Sequence, residues 1–538
     1  MPDGKLYLKP NVVIEPLIDS WYAWTHLISP ATAALNMVKR HMEIIDSYLQ
    51  NPQAHEQAVA DPKMRGGPFM DLQGDRSDEI RLLKARTQDE RGNMFAFAKA
   101  IKDLREMLAT YAKGYSLEPL YAKVPGILKG YLELYYDLNN NVSFRFFEPL
   151  LYKSEYYNSK GQGIALWITM NDHRPFSLST PRLEEPHILQ LPIPFNDKGI
   201  DELAKMKRTP QTLDYIKTML GISSRQEHLF STFFTSEANP AYSKYNGDKI
   251  RMRYFGHACI LVETKTVSVL LDPLISYYGY HSDIEHFSDI DLPDVVDYAL
   301  ITHNHQDHIL FETLLPLRHK IRNLIVPNSR GGRLEDPSLK QLLNQIGFDN
   351  VTEMDEMETI IFDDVAITGL PFTGEHSDLN IQSKLCYHVR IGTFSLLFMA
   401  DSRIIEPAIY EHVYRQTGDV DVIFLGMECD GAPLSWLYGP LMPKKLARDQ
   451  DGSRRLAGSD CEKGMSLVKI FNPREIYVYA MGQEPWLEFI SSIKYTDDSN
   501  PIVQSNDLIS LCRNRGITAE RLFGEKEILY KQRNQLVS

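Results

Sequence analysis

The alternation of apolar and polar residues divides the chain into two parts with different patterns. Helical periodicity and strand-like apolar runs are mixed in the N-terminal part, at residues 30–49, 90–113, 142–152 and 163–170. A chain of 538 residues is also too long for one ordinary core. We therefore predict an α/β protein with a mixed α/β domain in residues 1–247 and a second domain in residues 248–538.

The second domain is predicted to be rich in strands. Residues 250–275 form two alternating apolar strands joined by a polar turn at 264–266, and 358–370 and 384–400 have the pattern of hairpins. Residues 475–486 are expected to form the last strand and the turn after it. The N-terminal part carries a cluster of aromatic residues, expected in its core or at a subunit interface: Tyr131, Tyr135, Tyr136, Phe144, Phe146 and Phe147.

One polar motif follows an apolar run and precedes a helical pattern: His303-Asn-His305-Gln-Asp307-His308. From an extended backbone His303 and His305 point the same way, and Asp307 and His308 turn back from the start of the helix. Three histidines and an aspartate at this spacing are typical of a metal site, although single histidines in a loop usually are not. We predict that these four side chains converge on space for two cations.

A second apolar strand delivers a carboxylate. The run that begins at Phe394 ends at Asp401, and a buried strand that ends in an unpaired aspartate is costly. We therefore predict that Asp401 binds a metal and is not an ordinary turn residue.

The motif HxHxDH resembles the signature of the metallo-β-lactamase superfamily. The resemblance implies a four-layer αββα sandwich with a dinuclear centre at one edge, bridged by Asp401 and braced by Asp272. It places another ligand in Gly374-Glu375-His376, where either Glu375 or His376 faces the metals. His257, an isolated histidine, is expected to support the ligands or to lie in the core. Hydrolases of the superfamily present a last histidine near Met481–Glu484, but this chain has no histidine after His412.

If Glu375 is the ligand, one metal is held by His303, His305 and Glu375, the other by Asp307 and His308, with Asp401 between them. Such an oxygen-rich set suits iron or manganese better than zinc. The order HNHQDH, GEH, MADSR and AMGQEPW resembles the di-iron β-hydroxylases of non-ribosomal peptide and antibiotic biosynthesis. That resemblance implies two iron ions, dioxygen as co-substrate and an external electron donor. It further implies a homodimer that hydroxylates the β-carbon of an amino acid held as a thioester on the phosphopantetheine arm of a carrier domain.

Two later stretches fit a tethered substrate. The segment 430–440, with Trp436 and Tyr438, either covers the pocket or packs as an ordinary loop. A basic stretch follows and is either a docking patch for an acidic carrier domain or a solvated loop: Lys444, Lys445, Arg448, Arg454 and Arg455.

Composition limits the other functions. The net charge of −13 argues against a nucleic-acid binder, and the absence of a long apolar run argues against membrane insertion. Five cysteines without a CxxC pair indicate no disulfide framework, and we expect a cytoplasmic protein. Two alternatives remain: a metal-dependent hydrolase of a lactone, thioester or phosphoester that uses His376, and a degenerate member that only binds.

Overall fold

The computed structural model describes residues 4–279 and 284–531. The N-terminal part contains a three-stranded sheet of order β8-β1-β9, a four-stranded sheet of order β3-β2-β6-β7 and the hairpin β4-β5. Its strands are β1 (Lys5–Leu8), β2 (Val12–Ile18), β3 (Trp21–Tyr22), β4 (Leu132–Tyr136), β5 (Val142–Phe146), β6 (Gln162–Ile168), β7 (Leu189–Leu191), β8 (Gln211–Thr212) and β9 (Phe234–Thr235).

The α-helices in the described residues of this part are α1 (Thr25–Ile28), α2 (Pro30–Asn36), α3 (Met42–Gln50), α4 (Pro52–Ala60), α5 (Ser77–Glu90), α6 (Gly92–Tyr111), α7 (Glu148–Leu151), α8 (Lys198–Lys205), α9 (Leu213–Leu220) and α10 (Glu227–Ser231). The helix predicted at 30–49 is present, but a π-helical turn, Met37–His41, interrupts it between α2 and α3. The strand predicted at 142–152 is wrong beyond Phe146, because Pro149 lies in the first turn of α7, where proline favours a helix start.

Two seven-stranded sheets form the second part, with orders β15-β14-β13-β12-β11-β10-β23 and β16-β17-β18-β19-β20-β21-β22. Their strands are β10 (Lys249–Tyr254), β11 (Ile260–Glu263), β12 (Ser268–Leu271), β13 (Val296–Leu300), β14 (Ile321–Pro327), β15 (Val351–Met354), β16 (Thr359–Phe362), β17 (Val365–Leu370), β18 (Cys386–Ile391), β19 (Phe394–Phe398), β20 (Val422–Gly426), β21 (Glu475–Tyr479), β22 (Thr518–Arg521) and β23 (Lys526–Lys531).

The helices of this part are α11 (Phe311–Leu317), α12 (Leu339–Gln345), α13 (Pro407–Thr417), α14 (Leu434–Tyr438), α15 (Arg448–Ser453), α16 (Cys461–Phe471), α17 (Glu488–Ser491) and α18 (Asn500–Arg513). Side chains such as Ile260, Tyr387 and Phe424 form the core between the sheets. Helices α13, α16 and α18 cover the second sheet, and α11 and α12 lie on the first. The four-layer arrangement implied by the resemblance is therefore present.

Two strand predictions in this part are wrong. The first predicted strand is two antiparallel strands, β10 and β11, because the chain reverses at Gly256 and His257, which have φ of 102° and 50°. Glycine tolerates that conformation, and the flanking apolar run hid the turn. Strand β21 is also not the last, since β22 and β23 follow and β23 pairs with β10.

The two parts share apolar cores. One cluster joins Val12, Leu166 and Phe195 to Ile301 and Leu314 of the first sheet and its helix. A second cluster joins N-terminal helical residues to Leu434, Leu437 and Tyr438. The domain boundary after residue 247 stays a prediction, but the N-terminal part packs directly beside the strand ends that carry the site. Among the described residues, no helix has both the length and the apolar character needed to cross a bilayer.

Candidate metal centre

The site is built from segments that follow the carboxyl ends of several strands. Asp272 follows β12, the motif of residues 303–308 follows β13, and Asp401 follows β19. Strands β12 and β13 are parallel, so their carboxyl ends meet at one edge of the sheet. Several non-glycine residues in and around the site have positive φ, including Asp272, His257, Glu375 and Ala400. Such backbone is strained and tends to cluster at functional sites.

The first group of candidate ligands surrounds His303 and His305. One ring nitrogen from each of His303, His305 and His376 and one carboxylate oxygen of Glu375 all lie within 4.8 Å of one another. His303 Nε2 is 4.0 Å from both Glu375 Oε2 and Asp401 Oδ2, and His305 Nδ1 is 2.7 Å from Glu375 Oε1. Atoms that bind one ion at about 2.1 Å are about 3–4 Å apart, so the longer spacings leave room for a cation.

The second group lies beside it. Asp307, His308 and His257 offer ligand atoms within 4.8 Å of one another, and His308 Nε2 is 3.1 Å from Asp401 Oδ2. Asp401 therefore lies against His303 of the first group and His308 of the second. This is the position that a bridging carboxylate requires.

Asp272 holds the motif from behind. Its carboxylate accepts hydrogen bonds from Thr302 N at 2.7 Å and Thr302 Oγ1 at 2.6 Å, and lies 2.8 Å from His308 Nδ1. The expected bracing role of Asp272 matches these contacts. Because Asp272 contacts His308 through Nδ1, the other ring nitrogen, Nε2, is directed at the cluster.

Several buried polar atoms of the site lack a hydrogen-bond partner within residues 4–279 and 284–531, including His303 Nε2, Asp401 Oδ1 and His376 Nε2. Buried polar groups are normally paired, so each unpaired atom is costly. A mixed set of imidazole and carboxylate donors also suits iron. The residues therefore fit a pair of iron ions.

The electrostatics of the site reflect closely packed carboxylates. Burial alone would lower the pKa of His308, but Asp401 and Asp272 raise it well above its ordinary value. Burial, together with the neighbouring His308 and His305, holds the pKa of His303 well below its ordinary value. His303 is thus kept neutral, the form in which imidazole binds a metal.

Glu375 and His376 both reach the site. His376 Nδ1 is 2.7 Å from Glu375 Oε2, and its ring stacks on that of His305 at 4.4 Å. Glu375 contacts His303, His305 and His376, whereas His376 approaches the cluster on the side of His305. Both residues remain candidates on proximity alone.

The turn at residues 481–484, which lacks the histidine found there in the hydrolases, contacts His257 from the first hairpin. Gly482 N donates to His257 Nδ1 at 3.2 Å, which directs His257 Nε2 to within 3.2 Å of Asp307 Oδ2. Glu484 in the same turn accepts the hydroxyl of Tyr254. His257 therefore lies where the turn at residues 481–484 approaches the cluster.

Glu428, which follows β20, was missed by the sequence analysis. Burial and then the charges of Asp401 and Asp307 raise the pKa of its carboxyl group well above the ordinary value, so this group is buried within electrostatic range of both aspartates. The signal was available, since an apolar strand ends in an acidic residue here as it does at Asp401.

The residues of segment 430–440 and the basic residues after it lie in different environments. Tyr438 is buried, and its hydroxyl is 3.1 Å from His305 Nε2, whereas Trp436 is half-buried and donates Nε1 to Gly66 O at 2.9 Å. Arg454 donates Nε to Ser377 O at 2.9 Å. The remaining basic side chains are exposed: Lys444, Lys445, Arg448 and Arg455.

Comparison with known proteins agrees with this architecture. Residues 7–238 match the diiron non-heme β-hydroxylase N-terminal domain, and residues 268–431 match a β-lactamase superfamily domain. The chain is 38% identical over 523 residues to a 4-amino-L-phenylalanyl-CmlP-peptidyl-carrier-protein 3-hydroxylase from Streptomyces venezuelae, covering 96% of this chain and 98% of that protein.

Solved structures give the same result. The crystal structure of CmlA, a diiron β-hydroxylase from Streptomyces venezuelae, superposes with a TM-score of 0.92 at 36% identity, covering 98% of this chain and 99% of that one. A variant of CmlA superposes with a TM-score of 0.90 at 36% identity, covering 97% and 100%. The expected metallo-β-lactamase-like fold and its two iron ions are thereby confirmed, and the chain belongs to the diiron non-heme β-hydroxylase family.

Proposed function

We propose that the protein hydroxylates the β-carbon of an amino acid held as a thioester on a peptidyl carrier domain, using dioxygen and an external electron donor. The observation that carries this is the 38% identity, over nearly the whole length of both chains, to a relative named as a 3-hydroxylase of a carrier-bound aminoacyl group. Carbon 3 of an amino acid is its β-carbon.

The proposed ligands are the six side chains that the motifs predict. His303, His305 and Glu375 would hold one iron, Asp307 and His308 the other, and Asp401 both. Asp401 supports this assignment because it approaches His303 at 4.0 Å and His308 at 3.1 Å. His257, whose Nε2 is 3.2 Å from Asp307 Oδ2, would complete the second position in place of the missing histidine. The buried carboxyl group of Glu428, within electrostatic range of Asp401 and Asp307, is the other candidate.

The iron pair, when bound, supplies the redox chemistry that activates dioxygen toward a C–H bond. The chain contributes position and a dry environment. Asp272 fixes the orientation of His308, and the ring of Phe372 packs 5.2 Å from that of His303. His303 and His308 are fully buried, so these two ligands are shielded from bulk water. The substrate would be oriented by protein contacts around this buried edge.

The carrier domain would dock near the exposed basic residues after α14. The segment that contains Tyr438 is followed by Lys444, Lys445 and Arg448. A partner bound to these residues would therefore contact the chain a few positions after a residue that reaches the site. Their charge complements an acidic surface. Arg454 already binds the backbone beside His376, and we assign it to the loop structure instead of docking.

We further propose a cytoplasmic homodimer. The N-terminal surface exposes apolar side chains, including Tyr115, Leu138 and Leu150, which support a subunit interface there. Of the aromatic cluster, Phe146 is buried and Phe147 is exposed. Light scattering after size exclusion tests this proposal, and a monomer across the accessible concentration range would refute it.

Metal analysis tests the proposed function against the alternatives. The purified protein is expected to bind about two irons per chain, as the family name diiron states, with a ferric absorption that bleaches on reduction and returns with oxygen. Zinc without a redox response, even after reconstitution with iron, would favour the hydrolase that uses His376. Failure to bind any metal would favour the non-enzymatic alternative.

A further inference from the structure

The three histidines of the motif are held in two different ways. His303 and His308 have Nδ1 against Thr302 Oγ1 at 3.0 Å and Asp272 Oδ2 at 2.8 Å, so Nε2 is directed at the cluster. His305 is reversed, since its Nδ1 lies 2.7 Å from Glu375 and its Nε2 lies 3.1 Å from the hydroxyl of Tyr438. The partner of its outer nitrogen therefore comes from the end of α14, after β20, and not from the sheet that carries the motif.

A histidine that binds a metal through one nitrogen carries its proton on the other, and the partner of that proton fixes the ring. We propose that Tyr438 is a positioning residue whose hydroxyl oxygen accepts a hydrogen bond from the Nε2–H of His305, and that the N-terminal domain holds Tyr438 in place for this purpose. This inference rests on the proposed metal centre and adds to it a role for the N-terminal domain beyond assembly.

Arg40 of the N-terminal domain contacts α14 directly. Its NH2 group donates to Trp436 O at 2.9 Å and to Leu437 O at 2.8 Å, the two residues before Tyr438. Arg40 is 9% exposed and lies on the π-helical turn Met37–His41. Hydrogen bonds from a buried charged donor are strong, and π-helical turns are frequent at functional sites.

Neighbouring contacts fix the rest of the segment. Lys39 donates to Met442 O at 2.7 Å, and Arg105 donates to Leu441 O at 2.7 Å. On the other side, the ring of Tyr438 meets that of His26 edge-on at 6.0 Å. The segment that the sequence suggests as a cover for the pocket is thus fastened to the N-terminal domain on both sides of Tyr438.

The first test is Tyr438→Phe, which removes the hydroxyl and keeps the ring. The affinity of the apoprotein for Fe²⁺, measured by competition with a chromophoric chelator, is expected to fall about 10- to 100-fold, as for other partners of ligating histidines. The ferric absorption of the loaded protein should shift. The matched control is Tyr530→Phe, which removes a buried hydroxyl that donates to Glu475 at 2.9 Å and should leave both readouts unchanged.

The second test asks whether Arg40 acts through Tyr438. Arg40→Met should weaken Fe²⁺ binding in the same direction, and Tyr438→Phe should cost much less in that background than in the wild type. Arg40→Lys, which keeps a cation, serves if Arg40→Met does not fold. Additive losses would overturn the coupling, and unchanged affinity and spectrum in Tyr438→Phe would overturn the positioning role. Failure of the wild type to bind iron would instead refute the proposed function.

Discussion

His308 Nε2 lies 3.1 Å from Asp401 Oδ2, although 93 positions separate them in the chain. His308 follows the first sheet and Asp401 follows the second, so this contact joins the two halves of the sandwich at the site. Asp401 also approaches His303, which makes it the side chain that links both groups of candidate ligands.

Replacing Asp401 is therefore expected to affect both metal positions. Asp401→Ala should lower iron content well below two per chain and reduce turnover by at least about 100-fold, since loss of a mere supporting partner already costs 10- to 100-fold. Elemental analysis and single-turnover assays measure the two effects. Asp364→Ala, at an aspartate in the turn before β17, is the control. Full iron content in Asp401→Ala would show that Asp401 is not a bridging ligand.

Glu375 and His376 can be separated by paired substitutions. Because Glu375 contacts both His303 and His305, Glu375→Gln should lose iron from the first position, while His376→Gln should retain about two irons, the number in the family name. Iron content and the ferric spectrum distinguish the variants. The opposite result would make His376 the ligand and bring the site closer to that of the hydrolases.

The basic residues after α14 should affect only reactions with the carrier. Reversing Lys444, Lys445 and Arg448 to glutamate is expected to raise KM for carrier-bound substrate about 10-fold, with the difference shrinking as salt is added. Iron content should not change. Lys265→Glu, in the exposed turn between β11 and β12, is the matched control. Equal kinetics for the triple variant and the control would remove the docking proposal.

Glu148 is expected to make stability depend on pH. It accepts hydrogen bonds from Ser338 N across the interface between the two parts, and burial raises its pKa from 4.5 to about 7. The folded protein therefore holds this proton more tightly than the unfolded chain. The resulting stability is fully present below about pH 4.5 and is lost as pH rises through about 7.

Glu148→Gln should remove that dependence. Thermal melting is expected to show a larger gain in Tm relative to wild type at pH 8 than at pH 5, with an effect on the order of 1–3 kcal/mol. Glu353→Gln, at a neighbouring carboxylate, is the comparison. An equal change in Tm at both pH values would show that Glu148 does not titrate in this range.

Sequence reasoning identified the parts of the site that are local. The spacing of His303, His305, Asp307 and His308 implies convergence because a strand, a turn and a helix start determine their directions. Asp401 was recognisable as a charged end of an apolar strand. The structure places all five together, together with Glu375.

The partners of Tyr438 and His257 could not be read from the sequence, because these contacts join positions distant in the chain. Tyr438 reaches His305 across 133 positions, and Gly482 orients His257 across 225. No local pattern encodes either contact. The reversal at Gly256 was hidden because apolar residues continue on both sides of it, so that β10 and β11 read as one strand.

The most direct test of the account is a single turnover with isotopically labelled dioxygen. The iron-loaded, chemically reduced protein is mixed with an aminoacyl carrier domain, and the released amino acid is analysed by mass spectrometry. The account predicts one labelled oxygen atom at the β-carbon, with the thioester intact before release. A hydrolysed thioester without label from dioxygen would contradict it and identify a hydrolase.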